Sequence, residues 1–272
     1  MARLPLILLA FIISTAAWAV NIKNIKQNAL GMAFVYIPAG SFQMGTSKED
    51  AETISFEMDS PDAGKFRDEY PPHTVNISNG FWLQRTEVTQ AQWFEVMENK
   101  PGPEKYWQDK DWQQLPVVSV NWFMAQRFVE ELNKIDKTFR YRLPGEAEWE
   151  YAARAGSKGI RPFSVEKLTD YAWFIQSSGD EPHPVATLKP NAWGLYDMLG
   201  NVWEWVNDRY GKATYHQGTR TDPAGPKTGN SRVRRGGSYH CPLFQTRPGY
   251  RAANPPDTRY SVIGFRVIAE KK

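Results

Sequence analysis

Nineteen prolines and twenty glycines are spread through 272 residues, so few stretches are long enough to sustain helical or strand periodicity. A chain punctuated in this way cannot build its core from long regular elements. Large side chains must reach inward from short ones, and eleven tryptophans are available to do so. The expectation is a loop-rich α+β fold of low regular content. About 250 residues can still share one core, so a single domain is expected over residues 20–272.

Two stretches carry clear helical signals. Thr89 to Met97 opens at a Thr cap, and Asn121 to Asn133 opens at an Asn cap with Trp122, Ala125, Phe128, Val129 and Leu132 at helical spacing. A third helix is predicted over 145–156, preceded by Pro144 and stopped by Gly156. Short strands are predicted at 34–37, 41–44, 73–77, 81–83, 233–235 and 265–268. Residues 50–70 read as a polar surface excursion and 101–115 as a second insertion.

The chain opens with Arg3, an apolar run from Leu4 to Ile13, and small residues at Ala17 and Ala19. That order is a secretory leader, residues 1–19, cut after Ala19. Its apolar run is shorter than the roughly 20 residues that span a bilayer. The protein is therefore expected to be periplasmic or secreted and not membrane-embedded. A formal net charge of +3 gives little electrostatic grip on nucleic acid. A peptide, a protein or a peptide-derived small molecule is the expected partner.

Cys241 is the one cysteine and cannot close an intramolecular disulfide. It is a buried core thiol, a metal ligand, a reactive thiol or an intermolecular link; free cysteine is among the most buried residue types. It lies in Arg235-Gly236-Gly237-Ser238-Tyr239-His240-Cys241, with Tyr250-Arg251-Ala252-Ala253 and Ile263-Gly264-Phe265-Arg266-Val267 following. Upstream stand Leu195-Tyr196-Asp197-Met198-Leu199-Gly200-Asn201-Val202-Trp203-Glu204-Trp205, Tyr141-Arg142-Leu143-Pro144-Gly145-Glu146 and Thr86-Glu87-Val88-Thr89. In this order these motifs resemble the formylglycine-generating enzyme (sulfatase-modifying factor) family, over about Phe34 to Val267. The resemblance implies the family's mixed fold, related to C-type lectins.

Members of that family oxidise a substrate cysteine with a pair of cysteines that bind copper. Here the first of the pair is Cys241, and Thr246 stands where the second belongs. Copper(I) prefers two thiolates, which Thr246 cannot replace, so copper or iron at Cys241 is left open. His240 is adjacent, but neighbours on a strand point to opposite faces. By resemblance Cys241 and Ser238 are the catalytic candidates. Asp197, Gly200 O, Val202 O and Glu204 are similar to the family's calcium loop, and hard oxygen donors at this spacing suit a structural calcium. Their plain alternative is turn capping by the two carboxylates. Trp203 and Arg251 are candidates for ligand binding, against core packing and loop tying respectively.

The scaffold serves different tasks, including cysteine oxidation, siderophore maturation and regulation of secretion systems, so fold alone does not name the function. Three readings follow. The first is an exported, oxidation-linked maturation factor, an oxidoreductase acting on a peptide or peptide-derived metabolite, resembling the periplasmic siderophore-maturing branch. The second is a non-catalytic periplasmic binding or regulatory module. The third is a genuine sulfatase-cysteine oxidase, which Thr246 disfavours.

Overall fold

A computed structural model describes residues 25–58, 66 and 68–272; the expected leader lies outside the described residues. Three small sheets surround one central helix. The first sheet has the order β1-β2-β5-β12-β6, built from β1 (Ile25–Gln27), β2 (Ala33–Ile37), β5 (Phe81–Gln84), β12 (Ile268–Lys271) and β6 (Phe139–Arg142), all antiparallel. The second has the order β10-β9-β7-β11: β10 (Ala252–Asn254), β9 (Arg232–Arg235), β7 (Trp203–Arg209) and β11 (Ile263–Gly264), the last pairing parallel to β7. The third joins β3 (Gly40–Met44), β4 (His73–Ile77) and β8 (Thr219–Thr221).

The helices α2 (Gln90–Met97) and α4 (Trp122–Ile135) form where local signals place them. The Gln92 amide donates to Thr89 Oγ1 while Gln92 Oε1 accepts from the Thr89 amide, a reciprocal capping box. In α4 the Asn121 side chain caps the Met124 amide at 2.8 Å, and Ala125, Phe128, Val129 and Leu132 are the buried stripe.

The central helix α5 (Glu146–Arg154) lacks a side chain at its cap, Gly145. Asp208, from β7, supplies the missing acceptor: its Oδ2 takes the Glu146 amide at 2.8 Å. Almost every residue of α5 is buried, charged ones included. Glu146 is paired with Arg251 at 2.7 and 2.9 Å, and Glu150 with Arg154 and Arg235. Such pairing offsets the cost of burying these charges.

Two expectations are corrected. The predicted strand 265–268 is a crossing between sheets: β11 ends at Gly264 and β12 begins at Ile268. Phe265 O and Val267 O accept from the amides of Val88 and Gln84, which keeps this non-strand backbone satisfied. Residues 50–70 are more than a surface excursion, because α1 (Lys48–Glu57), capped by Ser47, buries Ala51 and Ile54 against Phe66 and partly buried Phe244 and Tyr250. Within 101–115, α3 (Glu104–Trp107) turns Tyr106 and Trp107 inward, and Trp107 Nε1 donates to Pro101 O at 2.7 Å.

Candidate functional site

Strand β9 runs into Gly236 and Gly237, both with positive φ (99° and 80°). A Cβ on Gly236 would lie 3.2 Å from Trp149 Cζ2 and 3.3 Å from Met198 O, so the chain can pass α5 here only without a side chain. The next residues form a turn, not the strand expected around His240. The Cys241 amide donates to Ser238 O at 2.9 Å, while the Tyr239 amide donates to Asn201 O and the Tyr239 carbonyl accepts from Ser178 Oγ, tying the turn to two neighbouring segments. His240 projects outward, with Nδ1 2.5 Å from Asp180 Oδ1, while Cys241 turns into the core.

Ser238 Oγ and Cys241 Sγ lie 3.2 Å apart, both buried. Burial pushes the thiol up from its ordinary range, opposed by the Ser238 hydroxyl, by the Arg234 guanidinium and by Trp203. Arg234 is the functional neighbour that sequence reasoning missed. Its guanidinium carbon sits 4.1 Å from the centre of the Trp203 ring, and its Nε donates to Asn254 Oδ1 at 2.7 Å. Alternation along β9 would have found it, because Val233 and Arg235 are buried towards α5 and Arg234 has the other face.

Thr246 closes a short helical turn over Leu243–Gln245 and is fully buried. Its hydroxyl donates to Pro242 O at 3.2 Å, and its carbonyl accepts from Arg161 Nε at 2.9 Å. Arg161 also pairs with Glu57 at 2.7 Å, and Arg247 with Glu69 at 2.5 and 2.8 Å, so two buried ion pairs clamp this turn against α1 and the segment after it.

Trp203 packs in the core that holds Cys241, beneath Arg234. Arg251 lies elsewhere: Nε and Nη2 bind Glu146 and Nη1 reaches Asp68 O and Gly211 O, a loop-tying arrangement.

In the loop before β7, Asp197, Gly200 and Asn201 all have positive φ. A Cβ on Gly200 would lie 2.1 Å from Trp173 O. Asp197 Oδ2 accepts from the Ala186 amide at 2.8 Å, while Oδ1 is buried without a hydrogen-bond partner. Burial and nearby Glu204 push Asp197 up, to about 6, against the pull of the Ala186 amide and Arg266. Glu204 is differently placed, with Arg266 bound to both its oxygens at 2.7 Å and Trp149 Nε1 donating at 2.8 Å. Glu87, fully buried nearby with two unpartnered oxygens, was also missed by sequence reasoning. Among the described residues no group of three or more His, Cys, Asp or Glu side chains could hold a metal. A hard cation here would rest on the orphaned Asp197 Oδ1 and the Gly200 and Val202 carbonyls, with Glu204 sharing its oxygens with Arg266.

A sulfatase-modifying factor enzyme 1-like domain model matches residues 21–271. The formylglycine-generating enzyme of Streptomyces coelicolor is 38% identical over 168 residues, covering 56% of this chain and 51% of that enzyme. The matched region thus spans about half that relative's length. Two solved structures share the fold at a TM-score of 0.76 and 27% identity over 90% of this chain: Treponema denticola variable protein 1, covered to 99%, and PvdO from Pseudomonas aeruginosa, covered to 97%. The mixed fold expected from the motifs is the one observed, and with a family match running nearly from end to end, the chain belongs to the sulfatase-modifying factor family that includes the formylglycine-generating enzymes.

Proposed function

We propose that the chain is an exported maturation factor that acts by oxidation-linked chemistry on a peptide or peptide-derived metabolite, with Cys241 and Ser238 at its reacting centre. The observation that carries this reading is the 3.2 Å contact between Ser238 Oγ and Cys241 Sγ beneath Trp203 and Arg234. Burial keeps the thiol protonated at rest. The Ser238 hydroxyl and the Arg234 charge would stabilise its anion once a proton is withdrawn. The two-cysteine copper site does not fit, since the Thr246 hydroxyl is committed to Pro242 O and no second cysteine exists. A structural calcium at Asp197, Gly200, Val202 and Glu204 is part of the proposal. It would neutralise the orphaned Asp197 oxygen and stabilise the native state by binding it preferentially; a melting temperature indifferent to calcium and to chelator would exclude it.

The test incubates purified residues 20–272 under air with the small-peptide fraction of a culture of the source organism and follows loss of two hydrogens by mass spectrometry. Turnover that disappears in Cys241→Ala supports the reading, and unchanged turnover removes the thiol from the reaction. A second reading, a non-catalytic periplasmic binding or regulatory module, is favoured by the burial of Cys241 and Thr246. No turnover, together with capture of a partner by the purified chain, would establish it. Conversion of sulfatase cysteine ranks third because of Thr246.

A further inference from the structure

Strand β7 divides the molecule. Trp203 and Trp205 face the core that contains Cys241, whereas Glu204, Val206 and Asp208 face α5. On that second side lie two adjoining cavities of about 500 and 360 Å³, which share Ala147, Asp208, Pro223 and Ala224 in their walls. Asp208 is their common floor. Its lip is the segment Pro223-Ala224-Gly225-Pro226, where Gly225 has φ +71° and a Cβ on it would lie 3.0 Å from Asp208 Oδ1. Two prolines and a required glycine hold this lip in one shape, so the groove is largely formed in advance.

The other carboxylates around the groove already have partners. Glu146 is bound by Arg251, Glu148 and Glu270 by Arg142, and Asp222 by the Ser78 amide and hydroxyl. Asp208 differs. It is 3% exposed and its Oδ2 caps α5, yet Oδ1 has no hydrogen-bond partner among the described residues and is not one of the sealed, unpartnered buried atoms. Asp208 lines both cavities, and its Oδ1 lies on the side of the Gly225 lip. A nearly buried carboxylate with one unmet oxygen, walled by Met44, Ala147 and Pro226, is complementary to a charged donor on a short apolar stem.

We propose that this groove is a second ligand site, independent of Cys241, and that it takes a primary ammonium group on an aliphatic body, such as a lysyl side chain or an aliphatic amine, bound by Asp208. The wall then supplies apolar contact along the stem, and Oδ1 accepts from the ammonium. Burial and Glu146 push Asp208 up to about 7, with Glu148 adding to the rise and Arg251 opposing it. Affinity for an amine therefore strengthens as pH rises through that value. Across the groove His73 on β4, His216, Arg220 on β8 and Arg142 on β6 also face the space.

The experiment titrates the folded protein with butylammonium and, separately, butanol, following binding by NMR shifts on the alkaline side of neutrality. Saturable shifts at Ala147, Ala224 and Gly225 with butylammonium and none with butanol are expected. Asp208→Asn keeps an acceptor for the Glu146 amide and should weaken binding at least about tenfold, the scale of a lost charged hydrogen bond. Ala224→Leu, on an exposed lip, fills the shared wall without touching the carboxylate and should block binding in a protein of unchanged melting temperature. Equal responses to butylammonium and butanol, or undiminished binding in Asp208→Asn, would overturn the proposal. Shifts confined to the surroundings of Cys241 would do the same, while leaving the proposed function standing.

Discussion

Replacing Asp208 by Asn tests the electrostatics of α5 with a pH-dependent sign. Asn has the same size and can still accept from the Glu146 amide, so the cap survives and only the titratable charge is lost. The carboxyl is raised from 3.8 to about 7 by burial and by Glu146. Between those values the folded state holds a proton that the unfolded state has released, so this group lowers stability as pH rises through the interval. The penalty is absent below the lower value and complete above the upper one. At 1.36 kcal/mol per tenfold change in acidity, the rise sets a ceiling of roughly 4 kcal/mol. For a chain of this length that is a melting-temperature gain on the order of 10 °C for Asp208→Asn under alkaline conditions, and little gain at about pH 4. Urea unfolding of both proteins at about pH 4 and about pH 8.5 measures it directly. A variant equally stabilised at both, or destabilised on the alkaline side, would refute the account of Asp208 as a buried charge without a partner.

The remaining expectations concern the two faces of β7. Cys241 should react with a bulky thiol reagent far more slowly in the folded protein than in urea; equal rates in the two would contradict its burial. Arg266→Ala strands Glu204 in the interior and should cost about 3–5 kcal/mol. Chemical denaturation reads that loss, and a loss below about 1 kcal/mol would mean that the pair is open to solvent. Gly200→Ala combines φ +79° with a Cβ 2.1 Å from Trp173 O and should prevent stable folding, whereas Gly179→Ala, at φ +64° with nothing within 4 Å, should lose only about 1 kcal/mol. Similar melting temperatures for these two variants would show that the Gly200 contact relaxes.

The parts legible in the sequence were those decided by neighbours in the chain. Thr89 and Gln92 are three residues apart and Asn121 caps its own helix, so α2 and α4 could be read directly. The motif around Cys241 brought Ser238 with it for the same reason. What escaped depended on distant partners. Asp208 caps a helix 62 residues away, Arg161 reaches Thr246 across 85, and no local pattern announces either. Residues 265–268 misled because apolar-Arg-apolar alternation is what a strand shows, although Arg266 alternates here to reach Glu204 between sheets. In residues 50–70 the acidic composition obscured Ile54 and Phe66, which pack beneath a charged surface.

Strand β12 comes later in the chain than every other strand of its sheet, yet it lies inside the sheet, paired on one side with β5 and on the other with β6. Until it arrives, those two strands each present an open edge, and Phe265, which packs on Trp93 and Phe128, has not yet entered the core. A chain emerging from amino to carboxyl end therefore cannot finish this sheet early. This delay leaves two unpaired edges exposed to aggregation until the final strand docks.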